Sequence, residues 1–320
     1  MQLSKISGIE KEEIEQNILF TRTRHGKKLS LTYPIISTPN LASLVAHVFG
    51  DGTIGAKKRQ FEYANFNKEL IKAVEHETKL VFGAPIISRK NKSITFPSIV
   101  GDILLEFGAP VAPKNYSRHQ IPEWVRQGSL EEKRSFLRAL FDDDGSAMFS
   151  DGYRSAGVNI AQTRHESRKS ELEKLLWDVK ILLEQFEIFS GTPKVAKIKK
   201  YEDGFHVTMY INVTDFASIK NFYAQIGLTE GTKLETLKKI VARERKSRKA
   251  DDKKAMNLIL SKIKEQRVNS TGALAISLNL NPAYLLKKLK RMEKIGMIGK
   301  SGRISANRSF TWKVTEVEHD

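Results

Sequence analysis

The 320-residue chain contains no cysteine. Disulfides, thiolate metal sites and cysteine nucleophiles are therefore excluded, and the chain is compatible with a reducing cytoplasm. Long apolar runs and a signal-like N-terminus are also missing, so no membrane span or secretion is expected, and a cytoplasmic, organellar or nucleoid-associated location is. The seven histidines are scattered without ligand spacing, which argues against a zinc site. Acidic residues are scarce beside basic ones, 37 against 54, leaving a net charge of +17. Such an excess makes a polyanion the default partner, nucleic acid ahead of a membrane surface. It is not confined to one end: residues 250–320 hold 14 basic and 7 acidic residues, a net of +7, and the rest of the chain carries the other +10. The length is enough for two or three domains with a sizeable core.

Two stretches share one pattern. Leu137-Arg138-Ala139-Leu140-Phe141-Asp142-Asp143-Asp144-Gly145 and Leu44-Val45-Ala46-His47-Val48-Phe49-Gly50-Asp51-Gly52 each read as the last turns of an apolar helix. A small residue, Ala139 or Ala46, stands where a second backbone approaches, and each stretch ends in Asp-Gly before a short β-prone run. One isolated Asp-Gly would be a helix C-terminal turn with glycine as a left-handed cap. Two copies imply a pair of helices whose C-terminal ends deliver Asp51 and Asp144 to one spot. Carboxylates so held repel unless a cation lies between them. Oxygen ligands without cysteine suit a hard divalent ion, Mg²⁺ or Mn²⁺.

The surrounding order repeats as well. Residues 1–40 read as an N-terminal arm, with a helix from Lys11 to Phe20 and an extended basic segment around His25-Gly26-Lys27-Lys28. Residues 41–125 and 126–250 each run helix, strand, strand, helix, strand, strand, helix. Tyr63-Ala64-Asn65 answers Ile160-Ala161-Gln162, Gly83-Ala84-Pro85 answers Gly191-Thr192-Pro193, and Gly108 and Gly227 stand six residues before Lys114 and Lys233. The offset between copies grows along the chain, as loop and helix extensions in the second copy would produce. The pattern is an internal duplication of an αββαββα unit. A charged helical linker through Arg243-Glu244-Arg245-Lys246 closes the second copy.

Residues 251–320 have their own apolar pattern. Leu258, Ile259 and Ile263 mark one helix and Leu274, Ile276 and Leu278 a second. A third has Asn281 as its cap and Pro282 at its first turn and carries Leu285, Leu286, Leu289, Met292 and Ile295 on one face, with Lys287, Lys288, Lys290 and Arg291 on the other. A hairpin with Lys300 and Arg303 follows. Three short helices and a basic hairpin are the order of a small winged helix-turn-helix domain, and a small helical cap with a solvated basic face or a protein-binding module is the plainer alternative.

On these motifs the stretch from Leu41 to Leu234 resembles the LAGLIDADG homing endonucleases in their monomeric, two-motif, freestanding form. The resemblance implies an α+β fold of two pseudo-twofold αββαββα halves, packed through the motif helices, with saddle-shaped antiparallel sheets on double-stranded DNA. The acid ending each motif binds the catalytic metal in that family, which points to Asp51 and Asp144. The polar residue ending the second strand maps to Asn65 and Gln162. The basic residue after the last helix of each half, which orders water or stabilises the phosphate, maps to Lys114 and Lys233. Asp143 replaces a small residue at the helix crossing, a departure that would loosen the packing there, and Phe49 stands where the family often has another acid. An intein is not expected, because the ends of the chain lack the residues that splicing needs.

The leading function is thus site-specific, metal-dependent DNA cleavage, with contacts to DNA from Lys57, Lys58, Arg59, Arg89, Lys90, Lys92, Lys194, Lys197, Lys199 and Lys200 on the sheets. The rival is a non-cleaving DNA-binding transcriptional regulator on the same scaffold, as in a sporulation-regulator family with a similar domain order. An RNA-splicing maturase is a minor third reading. Retention of both Asp51 and Asp144 favours the first.

Overall fold

Helix α1 (Lys11–Gln16) stops short of Phe20, because the Asn17 side chain turns back to donate to the Glu13 carbonyl at 2.8 Å. The segment after it is more than an arm: Thr21 pairs with Leu29, and Leu29 and Leu31 are buried in the main core. The computed structural model describes residues 8, 10–22, 28–31, 33–83, 86–149, 156–229, 231–242, 248–265, 270–278, 280, 282–303 and 310–315. They fall into two compact units, Met1–Arg243 and Glu244–Asp320.

In the first unit, α2 (Pro39–Phe49) starts where Thr38 accepts a bond from the Leu41 N–H and proline takes the first turn. It is buried from Leu41 to Phe49. Strands β1 (Gly52–Ile54) and β2 (Phe61–Ala64) follow, then α3 (Lys68–Phe82), β3 (Ser88–Lys90), β4 (Ser93–Thr95) and α4 (Ser98–Glu106). In α3 the buried residues Leu70, Val74, Thr78 and Phe82 recur at helical spacing, and Gly83 closes it in the left-handed conformation.

The short α5 (Glu123–Gln127) leads to the second copy: α6 (Leu130–Asp144), β5 (Gly145–Phe149), β6 (Ala156–His165), α7 (Lys169–Glu184), β7 (Lys194–Tyr201), β8 (Gly204–Val213) and α8 (Phe216–Asn221). Ser129 and Glu132 form a reciprocal capping box at the start of α6. A π-helical turn, Phe222–Ile226, and α9 (Thr232–Ala242) complete the unit. The antiparallel sheets have strand orders β1-β2-β4-β3 and β5-β6-β8-β7, the same order in both copies. The duplicated αββαββα architecture expected above is therefore present, with α2 packed along α6 at its centre.

The second unit, taken by itself, has α10 (Arg248–Glu265), α11 (Thr271–Ser277), α12 (Pro282–Lys294) and an antiparallel hairpin of β9 (Ile298–Arg303) and β10 (Phe310–Val314). Its core gathers Met256, Ile259, Ile263, Leu274, Leu285, Leu289, Met292, Ile298 and Trp312, and the Trp312 indole donates to Thr271 at 3.1 Å. Leu258, Ile276, Leu286 and Ile295, expected on apolar faces, are exposed. Leu285, Leu289 and Met292 already fill the inward stripe of α12, which leaves Leu286 at its edge. Asn281, the charged run 243–247, His25, Gly26, Lys27, Ala84 and Pro85 lie outside the described residues, as does the side chain of Arg303.

Candidate active site at the helix crossing

Both motifs end in glycine for a steric reason. A Cβ on Gly52 would lie 2.7 Å from the His47 carbonyl oxygen, and one on Gly145 would lie 2.5 Å from that of Phe141. Neither glycine has positive φ, so close approach of the preceding helical turn, and not a left-handed cap, is what excludes a side chain. The chain then enters the sheet at once, which leaves Asp51 and Asp144 at the helix ends.

Each acid is held by the polar residue of its own second strand. Asn65 Nδ2 donates to Asp51 at 2.7 Å, and Gln162 Nε2 donates to Asp144 at 2.8 Å. Burial and the like charge of Asp143 raise the pKa of Asp51. Burial, with Asp143 and Asp51 adding to it, pushes Asp144 up to about 7. The Asp51 charge thus bears on Asp144, and the positive charges of Lys114, Lys233 and His47 at Asp51, and of Lys114 at Asp144, only partly offset the burial.

The two lysines do something sequence patterning did not suggest. Lys114 Nζ donates to the carbonyls of Val48 at 3.2 Å, Phe49 at 3.4 Å, Gly52 at 3.0 Å and Gly50. Lys233 Nζ does the same at the other motif, to Phe141 at 3.4 Å, Asp143 at 3.0 Å and Asp142. Each ammonium therefore caps the negative end of its own half's motif helix. Burial lowers the pKa of Lys114, against the pull of Asp144, Asp143 and Asp51. The Asp142 carboxylate fixes the approach to Lys233 by accepting from the Thr229 N–H at 2.8 Å and its hydroxyl at 2.6 Å.

Two cavities flank the crossing, and each combines both halves. One, of about 520 Å³, is lined by Asp51, Asn65, Asp142, Asp143 and Lys233 among others. The other, of about 240 Å³, holds Asp144, Gln162, Lys114, His119 and Arg164. In the second, Arg164 donates to the His119 carbonyl at 3.1 Å and ring Nε2 at 2.8 Å. Burial, then the Arg164 charge, lowers His119 to about 3, and burial lowers Arg164 to about 10.

Asp143 does not loosen the crossing. Gly50 opposite it leaves room: a Cβ there would sit 2.3 Å from the Asp143 Cβ. The buried Asp143 carboxylate accepts from His47 Nδ1 at 2.9 Å, the Asp51 N–H at 3.1 Å and the Tyr63 hydroxyl at 2.7 Å. Burial opposes a charge on His47, but the charge and hydrogen bond of Asp143, with Glu77 and Asp142 adding to them, push the imidazole up to about 9. Sequence reading passed over His47, Tyr63, His119 and Arg164. Tyr63 and Arg164 each left a signal, two residues from Asn65 and from Gln162 and so on the same strand face.

Among the described residues no group of three or more His, Asp or Glu could by itself hold a metal. The donors fit a hard cation that keeps water and shares phosphate oxygens, for which one or two carboxylates suffice. Of the basic residues expected on DNA, Lys57, Lys58, Lys90, Lys92 and all four lysines of β7 are exposed. Arg59 pairs with Asp102 at 3.1 Å, and Arg89 pairs with Glu75. In the second unit Lys287, Lys290 and Arg291 are exposed, Lys288 is half-buried, and Lys300 lies 2.9 Å from Glu293. None of the described helices is long and apolar enough to cross a membrane.

Residues 131–227 match a family profile described as a LAGLIDADG-like domain. The chain is 26% identical over 211 residues to the tRNA-splicing ligase RtcB of Methanocaldococcus jannaschii, across 58% of this chain and 21% of that protein. It is 25% identical over 233 residues to the tRNA-splicing ligase RtcB of Pyrococcus abyssi, across 68% and 25%. To the replication factor C small subunit of Methanocaldococcus jannaschii it is 27% identical over 184 residues, across 52% and 10%. The chain therefore spans a quarter or less of the length of these relatives. A crystal structure of the N-terminal LAGLIDADG domain of WhiA aligns over 67% of this chain and 88% of that one, at 16% identity and a TM-score of 0.33. The architecture is an α+β LAGLIDADG fold.

Proposed function

We propose that the protein is a metal-dependent, site-specific endonuclease of the homing type acting on double-stranded DNA as a monomer. The observation that carries this reading is the pair of acids at the helix crossing. Asp51 and Asp144 are each oriented by an amide, and each share a cavity with the lysine of the other half. A bound Mg²⁺ or Mn²⁺ would supply a lowered water pKa and charge neutralisation at the phosphate. Asp51 in one cavity and Asp144 in the other would each hold such an ion, and Asn65 and Gln162 fix the two carboxylates. Lys114 and Lys233 fix the helix ends from which both acids project. The open lysines of β7, a strand exposed along its length, give the electrostatic contact to phosphate. The helix and hairpin order of the second unit supports a winged helix-turn-helix that adds to DNA affinity. The named activities of the relatives differ, an RNA ligase and a replication factor subunit, so none of them is carried over to this chain.

A second reading, a non-cleaving DNA-binding regulator, draws support from the protonated His47, a cation of the protein's own beside the acids. Cutting of a randomised duplex library with Mg²⁺ or Mn²⁺, followed by sequencing of new ends, separates the two. Asp51→Asn and Asp144→Asn should abolish the new ends while binding in Ca²⁺ persists. A wild-type chain that binds a defined site tightly and never nicks it would leave only the regulator.

A further inference from the structure

A duplication predicts equal halves, yet three positions at the crossing break the repeat together. His47 stands four residues before its motif acid, where the other copy has Leu140. Tyr63 faces the motif glycine Gly52 across the strands, as Ile160 faces Gly145. Asp143 answers Gly50, one residue before each acid. The polar histidine and tyrosine lie in the first half and the carboxylate comes from the second, so the three meet across the interface. Gly50 completes the set, since any side chain there would collide with Asp143.

The consequences for the two acids differ. Asp51 has its backbone N–H held by Asp143 and its side chain held by Asn65 Nδ2. The same amide also donates to the Tyr63 hydroxyl at 3.2 Å, which in turn donates to Asp143. The arrangement is a closed ring of bonds around one acid. Asp144 has a single side-chain hydrogen bond, from Gln162, among the described residues. Beside it, Arg164 Nη1 and His119 Nδ1 are buried donors with no partner among the described residues. The place corresponding to Arg164 in the first half is Asn67, which caps α3 instead.

We infer that Asp143 is a positioning residue that makes the two half-sites unequal: Asp51 is held ready before any cation or phosphate arrives, whereas the Asp144 half is completed only by its ligand. This rests on the nuclease reading above for its strand consequence, but not for its cation consequence. Residues that orient a ligating carboxylate typically change metal affinity or activity by about 10–100-fold when altered. The inequality should therefore be large enough to read in solution.

The test uses the full chain with Tyr63→Phe, which keeps the ring and loses the hydroxyl, and Asp143→Asn, which keeps the shape and loses the charge. Gln162→Ala serves as the opposite perturbation. Calorimetry with Ca²⁺ alone should find two unequal sites in the wild type. Tyr63→Phe and Asp143→Asn should weaken the tighter one by about 10–100-fold, and Gln162→Ala the weaker one. On a duplex that the wild type cuts, labelled on each strand, the two kinds of variant should move the ratio of the nicking rates in opposite directions. A merely structural role would slow both strands by the same factor. Equal slowing of both strands, a single class of Ca²⁺ site in the wild type, or equal weakening of both sites overturns the inference. A wild type that cuts no DNA overturns the nuclease reading, and the Ca²⁺ isotherms then decide the inequality by themselves.

Discussion

Removing the Asp143 carboxylate alone should be far worse for stability than removing it together with the groups it serves. In Asp143→Ala the protonated His47, 2% exposed, loses its counter-ion, and the Tyr63 hydroxyl and Asp51 N–H lose their acceptor. Breaking a buried ion pair from one side costs about 3–5 kcal/mol. For a unit the size of Met1–Arg243 each kcal/mol lowers the melting temperature by about 2–4 °C, so a fall of roughly 6–20 °C is expected. The combination His47→Leu, Tyr63→Phe and Asp143→Ala removes the charges and the orphaned hydroxyl together. Replacing a buried pair by apolar residues is often neutral or stabilising, so the triple variant should return to within about 2 kcal/mol of the wild type. Urea unfolding followed by fluorescence suits the measurement. A Trp312→Phe background leaves Trp124 and Trp177 as reporters, both within the first unit. The effect should also depend on pH. The folded pKa of His47, about 9, lies above its ordinary value of 6.5. Its contribution is therefore fully present below pH 6.5 and fades as pH rises through about 9. A cost below about 1 kcal/mol for Asp143→Ala, or a triple variant as unstable as the summed single changes, would refute the buried-pair argument.

Cation affinity should follow the ionisation of Asp144, held up at about 7 by burial. Ca²⁺ binding measured by calorimetry should strengthen as pH rises to about 7, level off above it, and release protons below it. Lys114→Met and Lys233→Met should each destabilise by about 1–3 kcal/mol, because they strip donors from buried helix-end carbonyls; unchanged melting curves would mean the capping bonds contribute little. Changing Lys194, Lys197, Lys199 and Lys200 to Gln should flatten the dependence of log affinity for duplex DNA on log salt by about 0.9 for each phosphate no longer neutralised. The same titration on Lys287→Ala, Lys290→Ala and Arg291→Ala tests whether the second unit touches DNA, and an unchanged slope would exclude it.

Much of this molecule was legible along the chain because its information is local and repeated. Apolar spacing and Asp-Gly endings marked α2 and α6, and two copies of one element order implied two like sheets. Asn65 and Gln162 could be found because each ends its second strand at a fixed landmark, and Lys114 and Lys233 because each follows its half's last glycine by six residues. What the lysines bond to was not legible, since the carbonyls they cap lie 62 to 92 residues away. Asp143 was misjudged for a related reason. Read alone, an acid at a close helix crossing is a fault, and only the folded chain brings Gly50 to make space and His47 and Tyr63 to satisfy it, from 96 and 80 residues away. Spacing and periodicity record which elements form and which faces they bury. The partner of a buried charge is set by packing between the halves, and no local pattern records it.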